Sequence, residues 1–238
     1  MSGLNVATIL SLIIAVVPTI IAITLHEAAH GYAAWALGDD TAKRAGRLSL
    51  NPLVHIDRVG TILLPGALLL GQLLTIGRVA FMFGWAKPVP VATWRFRNPR
   101  RGMMIVAAAG PAMNLLLAFI GALAVHVLPY VPAVAFADVS ALIYYFILSN
   151  VALGLFNLIP IPPLDGGRIA VGLLPEPLAL RWAKLERGGL IILLVVIYLV
   201  PGFLRDVAHV QFDPIGNLYS GAIEPVISGL IWAAGNPV

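Results

Sequence analysis

The first 25 residues contain no Asp, Glu, Lys, Arg or His, and further long apolar runs follow along the chain. A helix needs about 20 mostly apolar residues to cross the ~30 Å hydrocarbon core of a bilayer. Residues 4–25, 103–128, 139–161 and, with some flank, 190–204 are of that order. Composition agrees, with 60% of residues hydrophobic and only 11% charged, far from the usage of soluble globular domains. The expected fold class is an all-α polytopic membrane protein with about four to six transmembrane helices. Residues 1–238 are expected to form a single unit, with a re-entrant segment and a short extended or β loop near residues 59–92.

The N-terminal run has no Lys or Arg ahead of it and no small-residue cleavage site behind it, so it reads as a retained helix rather than a secretory signal. The chain has no Cys, which excludes disulfides and thiolate metal sites. Its pI near 9.7 does not point to nucleic acid, because the basic residues form no recognition motif and flank apolar spans as topology markers.

Of the 15 Lys and Arg residues, 14 lie in two segments, 43–101 and 168–187. By the positive-inside rule both are expected on the cytoplasmic side. The spans 103–128 and 139–161 then run outward and back, joined by a charge-poor outer loop containing Pro129, Pro132 and Asp138. The first helix runs inward and is expected to continue to about Leu37, where Gly38, Asp39 and Asp40 form a stop signal. Residues 59–77 are apolar enough to cross but lie between Arg58 and Arg78. A segment that dips in and returns satisfies the charge rule, since irregular backbone is tolerated at membrane depth when it lines a cavity. Residues 79–92, broken by Gly84, Pro88 and Pro90, are expected to be extended loop or short strand, and 220–234 a partial span or interfacial helix.

His26-Glu27-Ala28-Ala29-His30 matches H-E-x-x-H, which on a helix sets two imidazoles one turn apart on one face, with a carboxylate beside them as candidate general base. Ionisable groups at the end of a charge-free run are costly and default to function. A catalytic zinc takes three protein ligands and keeps one open position. Candidates for the third ligand are Asp39, Asp40, Asp57, Asp165, Asp213, Glu224, His55, His126 and His209. The topology brings Asp165 out at the membrane level of His26 and His30, in a turn with Pro160, Pro162, Pro163, Gly166 and Gly167. A solvated, helix-terminating Asp is the competing reading of that turn.

Three motifs in order resemble the site-2 proteases, a family of intramembrane zinc metalloproteases: His26-Glu27-x-x-His30, then Gly110-Pro111-Ala112-Met113-Asn114, then Asn157-Leu-Ile-Pro160-Ile-Pro-Pro163-Leu-Asp165-Gly166. The resemblance implies one Zn²⁺ held by His26, His30 and Asp165. It also implies Glu27 as the acid/base residue, and Asn157 as an amide near the metal that binds the substrate carbonyl or developing oxyanion. Asn114 reads as an interhelical hydrogen-bonding residue close to the site, with Gly110 permitting close helix approach. His55 reads as a loop hydrogen-bonding residue.

The implied reaction is peptide-bond hydrolysis in or near a transmembrane segment of a single-span membrane-protein substrate, whose helix must unwind locally to be cut. The implied place is the prokaryotic inner membrane, with the site toward the cytoplasm and the bilayer itself as partner. The extended segment around Trp85 to Val91 is expected to pair with the unwound substrate by strand addition. The form is compact, without the PDZ or CBS modules of some relatives. Two other classes compete. A metal transporter would repeat its ligands along a path, whereas here they cluster at one end. An inactive scaffold would most simply have lost Glu27 or a ligand.

Overall fold

The structure, a computed structural model, describes residues 6–75, 77 and 84–236. Residues 1–5, 76 and 78–83, which hold parts of the expected first span, re-entrant segment and extended loop, lie outside the described residues, as do 237 and 238.

The uninterrupted apolar start of the chain forms helix α1, Val6–Ala36. Its 31 residues reach about 46 Å, more than the hydrocarbon core requires, so the helix carries its C-terminal turns past the apolar layer. Pro18 lies inside it, and next to this break the Thr19 hydroxyl meets Ser149 Oγ at 2.9 Å. Such hydroxyls help re-satisfy the backbone where proline removes a donor. The expected stop is present: Gly38 takes φ +98°, and the Gly38 and Asp39 N–H groups return to the carbonyls of Trp35 and Ala34. Tyr32 and Trp35 are half-exposed, and Lys43 Nζ sits 4.3 Å from the Trp35 ring, an aromatic and basic fringe of the kind found at a membrane surface.

Asp57 caps the next apolar stretch by accepting from Val59 and Gly60. A wide turn Arg58–Leu63 leads into helix α2, Leu64–Thr75. Among the described residues Arg58–Gln72 is one of the shorter apolar helices rather than a candidate full span. Residues 84–92 form neither helix nor strand, and no strand occurs among the described residues. The β alternative for the loop is therefore not realised there.

Helix α3, Pro99–Ala124, starts with Asn98 accepting from the Arg101 N–H at 3.1 Å and with Pro99 in its first turn, where a missing N–H costs nothing. A tight turn Val125–Tyr130 extends it. Helix α4 covers Ala133–Asn157, ending where Pro160, Pro162 and Pro163 forbid continuation. Helix α5, Asp165–Leu173, and the short amphipathic α6, Glu176–Lys184, follow. Helical pieces Gly189–Leu194, Val195–Leu199 and Val200–Val207 run end to end, as do Pro214–Leu218, Tyr219–Ile223 and Glu224–Ala233.

Three helices among the described residues are long and apolar enough to cross a membrane: Ile9–Ala36, Pro99–Tyr130 and Ala133–Asn157. They pack on one another through small residues. A Cβ at Gly121 would stand 2.8 Å from Ile147, and one at Gly154 would stand 3.2 Å from Asn114 Cβ. Close backbone approach of this kind is how helices gain packing energy in lipid. Ala118, Ala122, Ile147 and Val151 form the core of that contact. The last described residues clasp the far end of α3, with Asn236 donating to the Ala122 carbonyl at 3.0 Å and His126 pairing with the Ala234 carbonyl at 2.8 Å.

Candidate metal centre and active-site cavity

His26 and His30 project from one face of α1, their ring centroids 4.6 Å apart. Asp165 arrives from the first turn of α5. That turn is folded tightly back, since a Cβ at Gly166 would lie 2.2 Å from the Leu158 carbonyl oxygen and one at Gly167 would lie 2.4 Å from Pro162 N. Arg100 Nε donates to the Val171 carbonyl at 2.7 Å and ties α5 to the start of α3. Trp182 on α6 donates to the Pro160 carbonyl at 3.0 Å and steadies the proline turn.

The three side chains meet edge to edge. The two Nε2 atoms are 3.1 Å apart, and Asp165 Oδ2 is 3.2 Å from His26 Nε2 and 3.3 Å from His30 Nε2. The protons of the rings follow from their other contacts. His30 Nδ1 faces the Val106 carbonyl at 2.7 Å, and a carbonyl only accepts, so Nδ1 carries a hydrogen and, in the neutral ring that binds a metal, Nε2 carries a lone pair. His26 Nδ1 faces Asn114 Oδ1 at 2.6 Å, with the same consequence. Asp165 Oδ2 is correspondingly buried without a hydrogen-bond donor.

Three lone pairs aimed at one another at such distances repel unless a cation lies between them. Tetrahedral zinc with bonds of about 2.0–2.2 Å sets its ligand atoms about 3.3–3.5 Å apart, close to the observed triangle. The N, N, O donor set suits zinc as well. Among the described residues His26, His30 and Asp165 form the group able to hold a metal.

Glu27 is partly buried beside them, and its Oε2 accepts from the Val89 N–H at 3.1 Å. A cavity of ≈ 820 Å³ opens at the site, lined by His26, Glu27, His30, His55, Asn157 and Asp165 among others. Asn157 donates to the Leu153 carbonyl on its own helix at 3.0 Å.

The extended segment is held along one edge: Trp85 N–H donates to the Gly60 carbonyl, Lys87 N–H to the His55 carbonyl and Val89 N–H to Glu27. Arg47 reaches the carbonyls of Val54, Lys87 and Pro88. Pro88 and Pro90 carry no N–H, so the donors left along this stretch for an added strand are those of Ala86 and Val91. Strand addition here has fewer free partners than the sequence suggests.

Of the remaining candidates for the third ligand, Glu224 and His209 are exposed and the others are engaged elsewhere. Asp39 accepts from Ala92 N–H at 2.6 Å and from Thr41, Asp40 pairs with Arg44 and Arg95, and Asp57 and Asp213 cap helices. His126 bonds the Ala234 carbonyl. His55 pairs through Nε2 with the Ser49 carbonyl at 2.9 Å, the loop role expected of it.

One residue escaped the sequence reading. Asn150 is fully buried against Asn114, and an amide alone in an apolar run is a signal that could have found it. Asp39, part of the expected helix stop, is fully buried too, and its bond to Ala92, 53 residues away, is one that no local pattern marks.

The description "Peptidase family M50" matches residues 125–197. The chain is 39% identical over 218 residues to the candidate zinc metalloprotease YwhC of Bacillus subtilis, covering 89% of this chain and 93% of that protein. It is 29% identical over 220 residues to the candidate zinc metalloprotease Rip2 of Mycobacterium tuberculosis, covering 90% and 78%. With the protein of that name from Mycolicibacterium smegmatis it shares 34% identity over 188 residues, covering 78% and 66%. No solved structure matches the chain.

Proposed function

Because the chain belongs to peptidase family M50, the site-2 proteases, and is thus an integral-membrane zinc metalloprotease, we propose that His26, His30 and Asp165 hold its zinc and Glu27 acts as its acid/base. The observation that carries this reading is the meeting of His26 Nε2, His30 Nε2 and Asp165 Oδ2 at 3.1–3.3 Å, with the far nitrogen of each ring committed as a donor. Zinc held there supplies Lewis acidity, which polarises a carbonyl and acidifies water.

The other tasks fall to the chain itself. Glu27 takes the proton of the attacking water and returns it to the leaving amine as the C–N bond breaks. The Val89 N–H holds that carboxylate beside the histidines. Asn157 has spent one amide N–H on Leu153 and keeps a second, which can meet the substrate carbonyl as negative charge develops on it.

The substrate is a membrane protein, in this reading a single-span one, cut where its helix unwinds and frees its carbonyls. The distribution of Lys and Arg supports a site toward the cytoplasm, and the bacterial relatives support a prokaryotic inner membrane, with residues 1–238 in this reading working as one intramembrane unit. The Glu27→Gln variant tests the assignment: it is expected to retain zinc and lose cleavage of a purified membrane substrate. Cleavage at the wild-type rate by a zinc-loaded variant would refute the role given to Glu27.

A further inference from the structure

Asn150 sits in the middle of α4 with no accessible surface, as does Asn114 on α3. An amide buried in an apolar setting costs several kcal/mol unless its groups are paired. These two are paired in one direction only. Asn150 Nδ2 donates to the Phe146 carbonyl at 2.8 Å, which turns Asn150 Oδ1 toward Asn114. Asn114 Nδ2 donates to that oxygen at 3.0 Å and to the Ala22 carbonyl at 3.3 Å. Its own Oδ1 is left to accept from His26 Nδ1 at 2.6 Å.

We propose that Asn150 is a positioning residue for the metal ligand His26, acting through Asn114 to hold the imidazole in the tautomer that presents Nε2 to zinc. This rests on the assignment of His26 as a ligand. A side-chain amide, unlike a carbonyl of the main chain, can turn over. If Asn114 flipped, its NH₂ would face His26 Nδ1, the ring hydrogen would move to Nε2, and the lone pair needed by the metal would be gone. Ala22 restrains that flip through one long bond, and Asn150 supplies the second and shorter one. His30 needs no such device, because its Nδ1 is bonded to a main-chain carbonyl that cannot invert. The relay joins α1, α3 and α4 at the level of the site.

The test measures zinc affinity by chelator competition on the full chain in detergent, with thermal unfolding of the zinc-free protein as the control for folding. Partners that orient a metal-bound histidine are worth about 10- to 100-fold in affinity, so Asn114→Ala should lose that much and Asn150→Ala, one bond further out, about 3- to 10-fold. The double variant should bind no more weakly than Asn114→Ala alone, because Asn150 acts only through Asn114.

Asn150→Asp is the conservative variant. A carboxyl buried at membrane depth stays protonated, donates to Phe146 and accepts from Asn114, so its zinc affinity should stay within about 2-fold of wild type. Unchanged affinity in folded Asn150→Ala, or losses that simply add in the double variant, would overturn the proposal. Should the alanine variant not fold, a loss by folded Asn150→Asp as large as that of Asn114→Ala would do the same. Wild type that takes up no zinc would instead sink the ligand assignment, and the relay with it.

Discussion

Gly110 lies directly against His30: a Cβ on Gly110 would stand 2.5 Å from the ring's Cε1, and 2.6 Å from Cε1 of His26. The glycine of the Gly110-Pro111 motif therefore makes room for two imidazoles, in addition to the close helix approach that its sequence context suggests. Neither ring can swing away, since one is bonded to Val106 and the other to Asn114.

Gly110→Ala is accordingly expected to lower zinc affinity by about tenfold or more, with overpacking that costs about 1–3 kcal/mol. Zinc content per chain after dialysis against a weak chelator reads the effect. A stoichiometric, tightly held ion in the variant would contradict the geometry.

The bond from Val89 N–H to Glu27 predicts a different outcome for Val89→Pro. Pro90 already biases Val89 away from helical toward extended angles. The substitution removes the donor, and a hydrogen bond to a charged group is worth about 1.5–3 kcal/mol, or roughly tenfold and more in rate. Cleavage should fall by that factor with zinc content unchanged. Loss of zinc in step with activity would show that the bond supports the fold rather than the base.

Asp39 ties the end of α1 to the extended segment by accepting from Ala92 N–H, and it also accepts from the nearby Thr41 N–H. Burial works to raise its pKa, but the donors of Thr41 and Ala92 and the charge of Arg95 outweigh it and hold the carboxyl below the ordinary 3.8. A depressed folded value means that the stabilisation is fully present above the unfolded value and is lost as pH falls through the lower, folded one. Acid should thus loosen this corner only below about pH 4. Asn in place of Asp39 should remove that dependence and cost about 1–3 kcal/mol at neutral pH, readable as a lowered midpoint of thermal unfolding. An unchanged acid limb in Asp39→Asn would count against it.

Orientation is open to a direct measurement, since the chain has no Cys. Arg97 is exposed just ahead of α3, in the larger of the two basic segments. Arg97→Cys should react with an impermeant maleimide only after the cytoplasmic face is opened. Labelling of intact cells would reverse the topology.

The spans, the helix stop at Gly38 and the pairing of His26 with His30 follow from hydropathy and from a four-residue spacing, both local properties of the chain. Charge placement and motif order brought Asp165 to the same membrane level. The sequence by itself therefore determined the kind of site and which end of the bundle holds it.

What only the tertiary structure decided is how the ligands are held. Gly110 fills its role by lacking an atom opposite residues 80 and 84 positions away. Asn150 reaches Asn114 across 36 positions and Glu27 reaches Val89 across 62. Such contacts carry no periodicity to read, because they depend on which faces of α1, α3 and α4 meet once the helices pack. The direction of each hydrogen bond in turn depends on fixed carbonyls that only the folded backbone supplies.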